Sequence, residues 1–396
     1  MTGRILVLGG GFAGLWSALA AARARETFGA DLEIALLNDT PWHSIRVRNY
    51  EADLSDTRVA LDEVLGPVGV HRLQGTVTDL DVRNRCVGYA ADGVARGIGY
   101  DRLVFALGSR LARPPIPGLV EHGFDVDTYD AATRLNEHIA RLGSDASTVL
   151  VVGGGLTGIE TAAEMPGKLR AAGVTRPRVI LADHAPRIGS DMGTEAVPVI
   201  EEALQALGVE TRAGVSVAAT DAGGATLESG ERIEAATIVW CAGMRAHPLT
   251  SAFPVERDRL GRLPVDPTLK VAGLAAEFAA GDVASFRIDG THECVMSCQH
   301  GRPMGRFAGH NAVCDLLDRP MMPLDIGWYT TILDLGAWGA LYTEGWDRRL
   351  VSRGTTAKRT KELINRERIY PPRSGDRQAL LDAAAPTVQT PPVKFG

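Results

Sequence analysis

The feature that most constrains this chain is a glycine-rich motif that occurs twice. Residues 5–15, ILVLGGGFAGL, recur as residues 149–159, VLVVGGGLTGI. The offset from Gly9 to Gly153 is 144 residues, which is too long for a solenoid repeat and suits two copies of a whole domain. Each copy is a short aliphatic run followed by glycines and a helical pattern, which is typical of the opening of a doubly wound sheet. The motif therefore predicts an α/β fold with two doubly wound, Rossmann-like domains.

The glycines of each copy predict a site for the pyrophosphate of a dinucleotide. Gly9 allows a tight turn after the strand, Gly11 lets a pyrophosphate approach the backbone, and Gly14 lets the helix pack closely on the strand. Phe12 and Ala13 belong to the same loop, where the helix N-terminus offers free N–H groups to phosphates. A lone match is weak evidence, because such turns also occur for packing, but two matches in the same context indicate two sites. The second set is Gly153, Gly155 and Gly158.

An acid at the end of the second strand of each unit is expected to bind a ribose hydroxyl. In the first unit Asn38 fills that position and Asp39 follows it, so either residue is a candidate. In the second unit the candidate is Asp183, which would accept hydrogen bonds from a 2′-hydroxyl and repel a 2′-phosphate. This favours NADH over NADPH, although an aspartate at a strand end also serves as a turn cap.

Proline-rich and glycine-rich stretches suggest how the domains are joined. The prolines of residues 113–118 cannot continue a helix or a strand ladder, and a second crossing is expected near residues 243–248. The second unit is therefore predicted to be inserted into the first. The predicted divisions are 1–112 with 244–324 for the first domain, 113–243 for the second, and 325–396 for a small C-terminal region.

The C-terminal region has a different character from the two domains. Trp328, Trp338 and Trp346 predict packing in the core or at an interface, with a cover over a cofactor and a homodimer seam as alternatives. Residues 356–368 form a basic helical stretch with few apolar residues, which predicts a solvated helix and at most peripheral contact with a membrane. The Pro/Ala-rich tail that follows is expected to fray.

Composition excludes several classes of function. The net charge of −6 argues against nucleic acid as a partner, because binding a phosphate backbone calls for a basic face. Five cysteines at irregular spacing predict reduced thiols, and scattered histidines predict no metal site. A strand that begins at Arg4 leaves no room for a leader, and no apolar run reaches the length of a membrane span. We therefore expect a cytoplasmic protein.

Three further motifs extend the pattern. They are residues 100–109, YDRLVFALGS, residues 238–243, IVWCAG, and residues 278–284, FAAGDVA. With the two glycine loops they resemble the two-dinucleotide-binding flavoprotein family, which is related to the pyridine nucleotide-disulfide oxidoreductases. Within it, the chain is most similar to type II NADH dehydrogenases and their soluble relatives. The resemblance covers roughly residues 4–320.

The resemblance implies where the cofactors bind. FAD would occupy the first unit and NAD(H) the second, and Asp282 would bind the ribityl chain of FAD. Glu160 stands where the family has an acid near the nicotinamide, although a solvated helix acid fits the sequence equally well. The remaining residues implied in cofactor binding are Ala106, Gly108, Gly243 and Gly281.

The acceptor site is less clearly indicated. Where membrane type II dehydrogenases have two glutamines in the quinone pocket, this chain has Gln299 but Met304 in place of the second. Gln299 and His300 are candidates to contact the flavin ring or the acceptor. His300 is also a candidate proton donor, with simple packing as the alternative. For Arg46 and Arg48 two roles are compatible with the sequence, which are contact with the FAD phosphates and contact with the acceptor.

Thiol chemistry is not expected. Disulfide reductases of this fold need a cysteine pair soon after the second strand, and residues 41–48 contain none. Cys294 and Cys298 are four residues apart, and buried reduced thiols are favoured over a redox pair.

The sequence thus predicts an enzyme that takes a hydride from NADH onto FAD and passes electrons to a quinone or another small acceptor. A reductase of a ferredoxin-like protein and a non-catalytic flavoprotein that senses NADH are the alternatives. A flavin monooxygenase is less favoured, because single-domain hydroxylases do not need the second glycine-rich unit.

Overall fold

The computed structural model describes residues 3–143 and 146–395. Its α-helices are α1 (Phe12–Thr27), α2 (Leu61–Leu65), α3 (Leu119–His122), α4 (Tyr129–Ala140), α5 (Leu156–Ala171), α6 (Ala196–Leu207), α7 (Cys298–Leu316), α8 (Gly354–Leu363) and α9 (Arg377–Ala383). A π-helical turn, Ile364–Arg368, continues α8.

The strands are β1 (Gly3–Leu8), β2 (Leu32–Asn38), β3 (Trp42–Ser44), β4 (Arg58–Ala60), β5 (His71–Gln74), β6 (Thr76–Asp81), β7 (Cys86–Ala91), β8 (Val94–Gly99), β9 (Arg102–Phe105), β10 (Ser109–Leu111), β11 (Gly123–Phe124), β12 (Ala146–Val152), β13 (Arg176–Asp183), β14 (Val209–Ala213), β15 (Val217–Asp221), β16 (Gly224–Leu227), β17 (Arg232–Glu234), β18 (Thr237–Trp240), β19 (Met244–Ala246), β20 (Leu263–Pro264), β21 (Glu277–Ala279), β22 (Ala284–Ser285), β23 (Thr330–Asp334), β24 (Ala340–Glu344) and β25 (Arg349–Arg353).

Each glycine motif lies at the end of the central strand of a parallel sheet. The first sheet has the order β21-β9-β1-β2-β5 and the second has the order β11-β18-β12-β13-β14. Residues 5–8 of β1 and 34–37 of β2 are buried without alternation, as expected for strands covered on both faces. Each unit also carries a three-stranded antiparallel sheet, β6-β7-β8 in the first and β15-β16-β17 in the second. The predicted α/β fold with two doubly wound units is therefore confirmed.

The two crossings between the units lie side by side. Strands β10 and β19 pair antiparallel, with Ser109 opposite Ala246 and Leu111 opposite Met244. The indole Nε1 of Trp240 also donates to the carbonyl oxygen of Ala112 at 3.0 Å. Every strand of the first parallel sheet falls within 1–112 or 244–324 and every strand of the second within 113–243, although the domain bounds themselves stay a prediction.

Helix α7 packs against α1 along a stripe of glycines at every fourth position. A Cβ atom at Gly305 would lie 2.3 Å from the carbonyl oxygen of Ala13, and one at Gly309 would lie 1.9 Å from that of Ser17. Such distances require glycine, because no side chain fits between the two backbones. Gly305 of α7 therefore lies against the first turn of α1, and Gly309 lies against the turn that follows.

The C-terminal region corrects two predictions. Helix α8 is not a solvated helix, because Ala357, Thr360 and Lys361 are buried. Its buried face consists of small residues and one paired lysine. Because it lacks large apolar side chains, the sequence pattern does not reveal this face. The tail is not frayed either: Leu380 and Leu381 of α9 are buried in the core of the first unit.

The aromatic segment before α8 folds as an antiparallel sheet, β23-β24-β25. The ring of Tyr329 stacks on Trp346 with centroids 4.3 Å apart, while the indole Nε1 of Trp328 donates to the carbonyl oxygen of Gln389 at 3.0 Å. These contacts agree with the predicted packing role. In the part of the chain that the structure describes, no helix has both the length and the hydropathy needed to cross a bilayer.

Candidate active site

A cavity of about 550 Å³ opens at the carboxyl ends of the first parallel sheet, between β1 and the N-terminus of α1. Ligands in doubly wound proteins bind in this location. Almost all the cofactor residues predicted in the first unit line it: Gly9, Gly11, Phe12, Ala13, Asn38, Asp39, Ala106, Gly108, Gly281 and Asp282.

The glycine loop has the shape that a pyrophosphate needs. Gly9 has φ +100°, which L side chains rarely adopt, and a Cβ atom at Gly14 would lie 1.9 Å from the carbonyl oxygen of Gly9. A Cβ atom at Gly11, by contrast, would meet nothing within 4 Å. Gly14 therefore serves the packing of α1 on β1, while the space before Gly11 stays open for a ligand at the positive end of the helix.

The second loop repeats this geometry. Gly153 has φ +118°, a Cβ atom at Gly158 would lie 1.7 Å from the carbonyl oxygen of Gly153, and one at Gly155 would meet nothing within 4 Å. Gly243 ends the neighbouring strand with φ +81°. Thr157 of α5, Trp240, Cys241 and residues 126–130 of the second unit also line the first cavity, so the second unit faces the same space from the other side.

Asn38 and Asp183 occupy equivalent places in the two units. The Oδ1 atom of Asn38 accepts from the N–H of Gly10 at 2.7 Å, and a carboxylate oxygen of Asp183 accepts from the N–H of Gly154. The other oxygen of Asp183 accepts from the N–H of Ala185 at 2.7 Å. A carboxylate has about four acceptor sites, so Asp183 retains capacity for a ribose hydroxyl. In the first unit the free carboxylate is that of Asp39, which is exposed at the cavity.

Asp282 lies between Ser109 and Arg46 in the wall of the first cavity. The hydroxyl of Ser109 donates to Asp282 Oδ2 at 2.5 Å, and the Nη1 atom of Arg46 lies 3.9 Å from the same oxygen. Burial raises the pKa of Asp282, against the opposing effects of Ser109 and Arg46. Arg46 is also paired with Asp127, whereas Arg48 is turned away toward Glu51.

A second cavity of about 280 Å³ lies next to the first. Its walls come from α5, the first turn of α7, strand β23, α8 and the tail. Gln299 and Glu160, two of the predicted catalytic residues, line it. Other polar side chains of its wall come from segments far apart in the chain, so no local motif relates them. They include Tyr50, Lys361, Asn365 and Arg368, with Arg302 one helical turn after Gln299.

Glu160 is buried in an ion pair at this cavity. Its Oε1 atom accepts from Lys361 Nζ at 2.7 Å and from the N–H of Asp334 at 3.1 Å. Burial raises the pKa of Glu160, and Lys361 opposes that shift. Burial would lower the pKa of Lys361, but the charges of Glu160 and Asp334 raise it above its ordinary value. Glu160 is therefore buried and not a solvated helix acid. It lines the second cavity and does not line the first.

Gln299 and His300 differ in their access to the cavities. Gln299 Oε1 accepts from the hydroxyl of Thr330 at 3.1 Å, while its Nε2 is buried without a partner among the described residues. His300 lines neither cavity, because its Nδ1 accepts from the N–H of Val295 at 3.0 Å and its ring lies near Tyr329. Burial lowers the pKa of His300 to about 4, so the ring is neutral at physiological pH.

The two cavities share one wall. Seven residues line both: Arg46, Val47, Val126, Thr157, Met296, Ser297 and Cys298. Cys298 is a free thiol in this wall, and Cys294 is a separate buried thiol that donates to the carbonyl oxygen of Ala284 at 3.3 Å. A molecule in the first cavity therefore lies one side chain away from a molecule in the second.

Comparison with known proteins agrees with this geometry. Residues 3–305 match the family model described as pyridine nucleotide-disulphide oxidoreductase. An NADH dehydrogenase-like protein of Mycobacterium tuberculosis is 56% identical over 98% of this chain and 100% of its own length. A type II NADH:quinone oxidoreductase of the same organism is 30% identical over 71% of this chain and 67% of its own.

Among solved structures, NDH2 of Plasmodium falciparum superposes with a TM-score of 0.80 over 97% of both chains, at 12% identity. That likeness establishes the arrangement of the two units. The chain therefore belongs to the pyridine nucleotide-disulphide oxidoreductase family and is an oxidoreductase that acts on NADH.

Proposed function

We propose that this enzyme binds FAD in the first cavity and NADH at the second glycine loop, and that it delivers electrons to a quinone-type acceptor in the second cavity. The observation that carries the proposal is the shared wall of seven residues between the cavities. Because the wall is shared, a cofactor bound in the first cavity would lie close both to NADH at the second glycine loop and to an acceptor in the second cavity.

The first cavity fits FAD in size and in chemistry. The open space before Gly11 suits the pyrophosphate, Asp39 suits a ribose, and the hydrogen-bonded pair of Ser109 and Asp282 in the cavity wall suits the ribityl hydroxyls. When bound, FAD would accept a hydride from NADH and return the electrons to a second substrate. The protein's part is to hold the reacting groups in place and to exclude water.

The second loop suits NADH rather than NADPH. The carboxylate oxygens of Asp183 accept from the N–H groups of Gly154 and Ala185, which hold the side chain beside the loop. A 2′-phosphate would meet that carboxylate without a compensating arginine in contact with Asp183 among the described residues. A 2′-hydroxyl would instead donate to it.

The second cavity suits an acceptor that has carbonyl oxygens. The buried Nε2 of Gln299 is a hydrogen-bond donor with no acceptor among the residues that the structure describes, and a quinone oxygen would supply one. Reduction of a quinone also consumes protons. The carboxyl group of Glu160, whose pKa is raised by burial, lies in the wall and can hold a proton there.

Anaerobic stopped-flow spectroscopy tests the proposal. The purified holoenzyme is mixed with NADH or NADPH, and the bleached enzyme is then mixed with 1,4-naphthoquinone. We expect fast bleaching by NADH, slower bleaching by NADPH, and fast reoxidation by the quinone. Absence of bound flavin would overturn the assignment of the first cavity, and bleaching without reoxidation would overturn the quinone acceptor.

The variant Gln299→Leu locates the acceptor step. It removes the unpartnered donor while keeping the size of the side chain, so we expect bleaching by NADH at the wild-type rate and a KM for the quinone raised about tenfold, the worth of one hydrogen bond to a carbonyl. An unchanged KM for the quinone would place the acceptor elsewhere.

A further inference from the structure

The charges that line the second cavity are unbalanced. Its charged residues are Arg46, Glu160, Arg302, Lys361 and Arg368, so four cations face one acid. Arg46 is paired with Asp127, and Lys361 with Glu160. Arg302 and Arg368 are left without a carboxylate within 4 Å among residues 3–143 and 146–395. This surplus of positive charge lies in a chain whose net charge is −6.

Arg302 is the more unusual of the two. It is 5% exposed, and its Nε atom has no hydrogen-bond partner in the described part of the chain. Its guanidinium carbon lies 5.0 Å from the centroid of the Trp16 ring, and the thiol of Cys298, one turn earlier on α7, is close enough to interact with its charge. Arg306 contacts the same ring at 4.4 Å. Burial and the neighbouring charge of Arg306 lower the pKa of Arg302, so its charged form is destabilised in this setting.

Arg306 is equally buried and its Nε is likewise without a partner among the described residues, but it lines neither cavity. At Arg302 the same condition occurs in a cavity wall, where an anionic ligand could supply the counter-charge. Charged groups are rarely buried unless they are paired, because the lost hydration is costly. The planar fork of arginine matches the oxygens of a carboxylate, sulfonate or phosphate in a bidentate manner. Arg368, at the same cavity, donates to the carbonyl oxygen of Thr390 and adds a second positive charge.

Arg302 and Gln299 lie three residues apart on helix α7 and both line the second cavity. Residues at this spacing share a helix face. One molecule can therefore place a ring oxygen at Gln299 and a charged substituent at Arg302.

We infer that the second cavity takes an anionic acceptor: a quinone-type ring that carries a carboxylate or sulfonate group, with the charged group bound at Arg302. The inference rests on the proposed function for the identity of the ring. It goes beyond that function by naming a charged class of acceptor and the residue that selects it. A neutral quinone would leave Arg302 uncompensated in the bound state.

The kinetic test compares 1,4-naphthoquinone with 1,4-naphthoquinone-2-sulfonate as oxidants of the NADH-reduced holoenzyme. The ratio of kcat/KM values for the two quinones is measured in the wild type, in Arg302→Met and in Arg306→Met. Comparing the ratio between proteins cancels the different intrinsic reactivities of the two rings. Arg306 shares the Trp16 stack but does not line the cavity, so Arg306→Met is the matched control.

We expect the preference for the sulfonated quinone to fall at least tenfold in Arg302→Met and to stay within twofold of the wild type in Arg306→Met. An unchanged ratio in Arg302→Met would overturn the inference. Because the substitution removes an uncompensated buried charge, Arg302→Met should fold with a melting temperature equal to or above that of the wild type.

A binding measurement separates this inference from the proposed function. The melting temperature of the oxidised holoenzyme is recorded with the sulfonated quinone and with inorganic phosphate at the same concentration. A rise with the sulfonated quinone in the wild type that is absent in Arg302→Met supports the anionic site even if neither quinone reoxidises the flavin. An equal rise with phosphate would overturn the inference, because the site would then select an anion and not an acceptor.

Discussion

Lys361 on helix α8 places its ammonium nitrogen 2.7 Å from Oε1 of Glu160 on helix α5, 201 residues earlier in the chain. Both side chains are buried, and both line the second cavity. The pair joins the C-terminal region to the second unit at the point where we expect the acceptor to take up protons.

Removing the ammonium should move the pH dependence of quinone reduction. Lys361 lowers the pKa of Glu160 against the effect of burial, so Lys361→Met should raise that pKa further. A carboxyl group donates a proton only below its pKa, and the alkaline limb of kcat/KM for the quinone should therefore shift to higher pH. The free energy of unfolding should fall by about 3 kcal/mol at alkaline pH, where Glu160 must ionise alone, and by less at acidic pH.

Lys358 provides the control for that prediction. Lys358 of α8 pairs with Asp334 of β23, but it does not line the second cavity. Lys358→Met should lower stability and leave the pH profile in place. A profile in Lys361→Met that coincides with that of the wild type would contradict the assignment of Glu160 as the proton donor.

Asp183 should determine the choice between nucleotides. Asp183→Ser removes the charge that opposes a 2′-phosphate and the acceptor that binds a 2′-hydroxyl, so we expect the NADH-to-NADPH ratio of kcat/KM to fall about tenfold or more. The equivalent change in the first unit, Asn38→Ser, is the control, since it should weaken flavin retention without altering that ratio. An equal loss of preference in both variants would argue that the effect is structural.

Substitutions at two glycines of the first loop should have different effects, one on helix packing and the other on flavin binding. A Cβ atom at Gly14 would lie 1.9 Å from a carbonyl oxygen, whereas one at Gly11 would meet nothing within 4 Å. We expect Gly14→Ala to lower the free energy of unfolding by about 3 kcal/mol, and Gly11→Ala to fold normally but to lose flavin on dilution. Thermal melts and the ratio of flavin to protein absorbance distinguish the two. Equal melting temperatures for both apoproteins would contradict this division of roles.

The tail should be part of the folded core. Leu380 is fully buried in the core of the first unit, and Leu380→Ala should lower the free energy of unfolding by about 2–5 kcal/mol. Val120, which is 68% exposed, gives the control Val120→Ala, with an expected change below about 0.5 kcal/mol. Denaturant unfolding measures both. A change in Leu380→Ala as small as in the control would mean that the tail does not pack in solution.

The fold and the first cavity were predictable because their signals are local. Strand, glycines and helix follow one another within residues 5–15, and the backbone roles of Gly9, Gly11 and Gly14 are repeated within residues 149–159. The polar residue at the end of the second strand is equally local, which is why Asn38 and Asp183 could be placed in equivalent positions.

The second cavity could be predicted only in part, because its wall joins segments far apart in the chain. Gln299 was a candidate through the family pattern. Glu160 was expected near the nicotinamide or in solvent, and the structure places it in the wall of the second cavity. Lys361 could not be predicted, since no rule of spacing relates it to Glu160. His300 was a plausible candidate beside Gln299, yet the turn of α7 directs it toward Val295 and away from both cavities.

The close packing of α7 on α1 has a consequence for how the two cavities communicate. Helix α1 begins at the loop expected to hold the flavin phosphates, and at Gly305 and Gly309 no side chain fits between α1 and α7. A cofactor that restricts the motion of the start of α1 should therefore also restrict the motion of Gln299 and Arg302 on α7. By thermodynamic reciprocity, an acceptor bound at those two residues should tighten retention of the flavin by the same factor.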